Sequence, residues 1–112
     1  MDDLENLLNL HGEVFPMENG YWVKFEAHQV EPSASIPHGI KYSLTLHDKR
    51  NKRVIGYDNA HSFKPTKKFG AKKQSYDHIH KQVNIIAYEF ESAAQLLEDF
   101  WSTVEHYMEN NI

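Results

Sequence analysis

Two short stretches of this chain concentrate residues that do chemistry: Tyr57-Asp58-Asn59-Ala60-His61 and Asp77-His78-Ile79-His80. In an extended segment His78 and His80 project from one face, roughly 6–7 Å apart. Imidazoles titrate near pH ~6.5, so such a pair holds one base and one acid at neutral pH. Asp58 and Asp77 would orient them. His-x-His with added carboxylates is also a ligand set for zinc, manganese or iron. If a divalent metal is held, His78, His80, Asp58 and Asp77 are its candidate ligands; otherwise no cofactor is implied. A third reading is a polar strand end without function. His11, His28, His38, His47 and His106 have no such company and read as surface residues.

The net charge of −4 conceals an asymmetry. Between Asp48 and Lys81 stand ten Lys and Arg against three acids, a local excess of seven positive charges. A basic stretch in an acidic protein attracts a polyanion locally. Lys64, Lys67, Lys68, Lys72 and Lys73 are the candidate phosphate contacts, although lysine also simply keeps a loop soluble. Tyr57, Phe63, Phe69 and Tyr76 interleave with these lysines. They are suited either to stacking on unpaired bases or to anchoring the loop in the core.

The elements that must position these residues are legible from periodicity. A chain of 112 residues, 40% hydrophobic and 25% charged, reads as one globular domain, residues 1–112. With no cysteine there is no disulfide, thiol nucleophile or cysteine-ligated zinc. The acidic start lacks signal-peptide order and no apolar run would span a bilayer, so a cytoplasmic, membrane-free protein is expected. Leu4, Leu7 and Leu8 suggest a short helix stopped by Gly12. Asn19-Gly20 marks a turn before a strand from Tyr21 to Val30. Ile40, Tyr42, Leu44 and Leu46 alternate with Lys41, Ser43, Thr45 and His47 in a second strand. Asp48 to Lys52 forms a hairpin connection into Arg53–Asp58. A long basic loop spans 60–77, and a strand runs on through Asn84 to Phe90, so that Gln82 and Asn84 continue the face of His78 and His80. Ser92 and Gln95 fit a capping box. The Leu96, Leu97, Phe100, Trp101, Val104, Tyr107, Met108 stripe then makes an amphipathic helix. The expected fold is α+β: an antiparallel meander of four to five strands, a C-terminal helix packed on one face, and a short N-terminal helix.

The order Val54-Ile55-Gly56-Tyr57-Asp58-Asn59-Ala60-His61, then Asp77-His78-Ile79-His80, then Ser92-Ala93-Ala94-Gln95-Leu96-Leu97-Glu98-Asp99-Phe100 resembles the TumE family of prokaryotic toxins. The likeness runs roughly from residue 40 to 108. Members usually join the two motifs by a shorter, glycine-rich stretch, where this chain has a long lysine-rich one. The resemblance implies a toxin of a toxin–antitoxin pair, a helix-turn-helix antitoxin as partner and an activity on RNA. Tyr57, Asp58, Asn59, His61, Asp77, His78 and His80 are the positions it carries over.

The expectation is therefore an RNA-acting toxin, with histidine-dependent endoribonuclease as the reaction. The alternatives are a non-catalytic module whose basic loop docks on nucleic acid or an acidic protein, and a His/Asp metal-binding domain.

Overall fold

The computed structural model of the protein describes residues 3–34, 36–59, 77–81 and 84–111. The element order is α1 (Asp3–Asn9), β1 (Val14–Pro16), a 3-10 turn (Glu18–Gly20), β2 (Trp22–Gln29), β3 (Ile40–His47), β4 (Arg53–Asp58), β5 (His78–Lys81), β6 (Asn84–Ala87) and α2 (Ala93–Asn111). Among the described residues six strands form one sheet in sequence order, each antiparallel to the next. The α+β meander with its two helices is as expected, but six strands replace the four to five.

The extra strand corrects the reading of residues 78–90 as one element. The chain reverses between Lys81 and Asn84, and β6 returns along β5 with His78 opposite Ala87. A straight continuation would have run beyond the end of β4, which starts at Arg53 and pairs with β5 only as far as Ile55 and Lys81. Its backbone groups would have lost their ladder partners there, whereas folding back supplies them. Asn84 therefore lies opposite Lys81, on the face away from His80.

Alternation sorts the sheet into two faces. Val23, Phe25, Ile40, Tyr42, Leu44, Leu46, Ile55 and Tyr57 turn to one side and are buried there with Leu96, Phe100, Val104 and Met108 of α2. Phe100 meets Phe25 and Tyr57 edge-on, with centroids 5.5 and 5.7 Å apart. At about 1.5–3 kcal/mol per large side chain, the stripe of α2 contributes as much as the whole net stability of a small domain. Leu7 of α1 is fully buried in the same core, and both described helices belong to this face. Ser92 caps α2, its Oγ accepting the Gln95 N–H at 3.0 Å. The Gln95 amide nitrogen donates to Asp99 Oδ1 at 2.8 Å, one turn further along the helix.

The opposite face is open in the sense that neither described helix packs on it. It carries Trp22, Lys24 and Glu26 from β2, Ser43, Thr45 and His47 from β3, Gly56 and Asp58 from β4, and His78 and His80 from β5. Thr45, Gly56, Asp58 and His78 are themselves buried. The β3–β4 ladder breaks register between Leu46 and His47: Leu46 faces Ile55, but His47 faces Arg53. One extra residue on β4 is thus accommodated in a β-bulge, which re-aims the side chain at its end.

Candidate functional site

Asp58 closes β4 and His78 opens β5, directly opposite one another; Gly56 faces His80. Two-residue periodicity then puts Asp58, His78 and His80 on the open face together. The Asp58 carboxylate joins both imidazoles, with His78 Nε2 2.8 Å from Oδ1 and His80 Nε2 3.3 Å from Oδ2. The two rings lie edge to face with centroids 4.6 Å apart. The His78 side chain is only 3% exposed and that of His80 19%, so His80 is the imidazole nearer solvent. Burial lowers the pKa of His80, and Arg53 adds to the shift while Asp58 opposes it. At neutral pH His80 is therefore a free base. With the Asp58 carboxylate on its Nε2–H, the His80 ring has Nδ1 to accept a proton.

The same three residues are the group that could hold a metal ion among the described residues, with one ligand atom from each lying within 4.8 Å of the others. Two imidazoles and one carboxylate suit a borderline transition ion such as zinc, manganese or iron. Asp77 is not among them. Its position one before His78 turns its carboxylate to the helix face, where Oδ2 accepts the Tyr42 hydroxyl at 2.7 Å and stands 3.5 Å from His38 Nε2. Burial, and then Asp77, hold the Tyr42 phenol far above its ordinary pKa.

The flanks of Asp58 also face away from the histidines. Tyr57 reaches α2, its hydroxyl 2.6 Å from Thr103 Oγ1 and donating to the Asp99 carbonyl at 3.3 Å. Asn59 is fully buried and clamps β3: its amide donates to the Ile40 carbonyl at 2.8 Å and its oxygen accepts the Tyr42 N–H at 3.0 Å. His61, Lys64, Lys67, Lys68, Lys72 and Lys73 lie outside the described residues, as do Phe63, Phe69 and Tyr76.

Sequence reasoning missed three neighbours. His38 is no surface residue; its side chain is 11% exposed and packs on Phe90 with centroids 4.0 Å apart. His47 stacks on Trp22 at 4.0 Å. Arg53 lies across Gly56, where an added Cβ would sit 3.2 Å from its Cδ. A glycine inside a strand signals such a close approach, and Gly56 was that signal. A cleft of about 540 Å³ on the helix face, lined in part by Val54, Ile55, Lys81, Asn84, Thr103 and Tyr107, shares no residue with the histidine cluster.

Residues 5–108 match the model of the family described as Toxin TumE, nearly the full chain and a longer span than the motifs alone suggested. The chain belongs to the TumE toxin family. No curated protein and no solved structure matches it. As a TumE toxin the chain is the toxin component of a toxin–antitoxin system, and its counterpart is an antitoxin. In TumE terms, Asp58, His78 and His80 of the two motifs converge, while Tyr57, Asn59 and Asp77 support the scaffold around them. No described helix is long and apolar enough to cross a membrane.

Proposed function

We propose that this toxin cleaves RNA at the Asp58–His78–His80 cluster, by general acid–base catalysis. The observation that carries the reading is one buried carboxylate bridging two imidazoles, one of which is held neutral beside solvent. His80 takes the proton of a ribose 2′-hydroxyl. The 2′-oxygen then bonds to the adjacent phosphorus while the bond from phosphorus to the 5′-oxygen breaks. His78 is the acid partner that returns a proton to the leaving oxygen. Asp58 fixes both rings and stabilises whichever is charged, as carboxylates orient catalytic histidines elsewhere. The basic lysines at 64, 67, 68, 72 and 73 are proposed to hold flanking phosphates, and a helix-turn-helix antitoxin is proposed as the partner.

A second reading rests on the ligand geometry: the same three side chains would hold a divalent metal ion, which would supply a polarised phosphate oxygen or an activated water. One experiment tests both. Total cellular RNA is incubated with the protein and with the His78→Ala/His80→Ala variant, each with and without EDTA. Cleavage by the wild type alone is expected. Survival of that cleavage in EDTA selects the metal-free route, and its loss selects the metal. If neither folded protein cuts RNA, the nuclease reading falls. Binding tests of the docking module then follow.

A further inference from the structure

The open face carries more than the histidine cluster. The bulge at the start of β4 pairs Arg53 with His47, which puts the guanidinium on this face. From there it lies back across Gly56, the residue directly opposite His80. Among the described residues no carboxylate pairs with Arg53. An exposed guanidinium held over the sheet next to an acid–base histidine is built to take an anion, and its planar fork suits phosphate.

The next strands continue the path. Gly56 faces Thr45, and the Thr45 hydroxyl lies 2.9 Å from His47 Nε2. The His47 ring stacks on the Trp22 indole, centroids 4.0 Å apart and planes within 8°. The indole N–H donates to Asn51 Oδ1 at 3.1 Å, which keeps the ring flat. Lys24 stands on the same face, two residues along β2 from Trp22. From β5 to β2 are three strand spacings, about 15 Å at ~4.8 Å each.

Resting on the RNA reading above, we infer that the open face is a track for single-stranded RNA leading to His80, with Arg53 binding the phosphate beside the site and the Trp22–His47 stack receiving an unpaired base. Splayed bases stack on aromatic rings, and duplex RNA offers none. An acidic protein would use the charges but not a flat pair of rings. Gly56 is part of the device, because a Cβ there would stand 3.2 Å from Arg53 Cδ, and the further atoms of a larger side chain would press on the guanidinium.

The test reads binding apart from cleavage. A fluorescein-labelled single-stranded 2′-O-methyl oligonucleotide, which lacks the attacking hydroxyl, is titrated by anisotropy at several salt concentrations against wild type, Arg53→Gln, Gly56→Val and Trp22→Ala. A duplex of the same sequence and a polyglutamate peptide run alongside, and circular dichroism confirms that each variant folds. The single strand is expected to bind more tightly than the duplex. Trp22→Ala weakens binding about 5- to 140-fold, the stacking range of ~1–3 kcal/mol at ~1.4 kcal/mol per tenfold. Arg53→Gln flattens the log–log salt slope by about 0.7, one single-strand phosphate contact. Gly56→Val, which keeps the charge but crowds the Arg53 side chain out of its present position, weakens binding in the same direction. Duplex binding equal to the single strand, or folded variants that bind like wild type, overturns the track while leaving the nuclease reading standing. Polyglutamate binding as tight as the oligonucleotide gives the face to an acidic partner and also overturns it. A wild type that binds no oligonucleotide removes the RNA reading and the track together.

Discussion

Replacing Asn59 by alanine separates scaffold from chemistry within the Gly56-Tyr57-Asp58-Asn59 motif. Its carboxamide makes two buried contacts with the β3 backbone, donating to the Ile40 carbonyl at 2.8 Å and accepting the Tyr42 N–H at 3.0 Å. Truncation strands both groups without water, at ~1–3 kcal/mol each, so about 2–6 kcal/mol in all. A water admitted to the small polar cavity would recover part of this and bring the loss to about 2–4 kcal/mol. Against a total of ~5–15 kcal/mol that is a large share. At ~4 °C per kcal/mol the thermal midpoint should fall by roughly 8–16 °C. Urea unfolding followed by tryptophan fluorescence should show a lower midpoint with an unchanged m-value. RNA cleavage, measured well below the new midpoint, should survive. A variant as stable as wild type that has lost cleavage would refute the reasoning and return Asn59 to the reacting centre.

Asp58→Asn should leave a folded protein whose single-turnover RNA cleavage is about 10²- to 10⁴-fold slower, because both imidazoles lose their orienting acceptor; cutting at the wild-type rate would take Asp58 out of the mechanism. Tyr57→Phe removes the hydroxyl contacts to Thr103 and Asp99 and should cost ~0.5–1.5 kcal/mol with cleavage retained, as read by urea titration and an RNA gel. The pH dependence has a definite sign. Burial lowers the pKa values of His80 and His47 in the folded protein, so the unfolded chain binds more protons below pH ~6.5. Their contribution to stability is complete above ~6.5 and is lost as the pH falls through the folded values. Thermal midpoints should therefore drop from pH 7.5 to 5.5, and His47→Gln should flatten that drop; an equal drop in the variant would exclude His47 from it.

Local patterns alone determined most of this fold. Strict alternation from Ile40 to His47 defined β3, and the stripe from Leu96 to Met108 defined α2, because a half-buried strand and a one-sided helix each impose their period on the residues themselves. The meeting of Asp58 with His78 and His80 was also legible, since a hairpin across residues 60–77 brings the two motifs together. In the sequence Tyr57, Asn59 and Asp77 group with them as site candidates, and only the folded sheet showed that these three are engaged elsewhere, with α2, β3 and Tyr42. The reversal between Lys81 and Asn84 depended on where β4 ends, a property of the neighbouring strand. Arg53 reached the open face through a one-residue bulge, and a bulge leaves no period in the sequence. His38 acquired Asp77 and Phe90 as neighbours from residues 39 and 52 positions away, contacts that exist only after the sheet has closed its loops. Periodicity encodes which side a residue takes along its own strand. Which strands meet, and in what register, is decided by tertiary pairing.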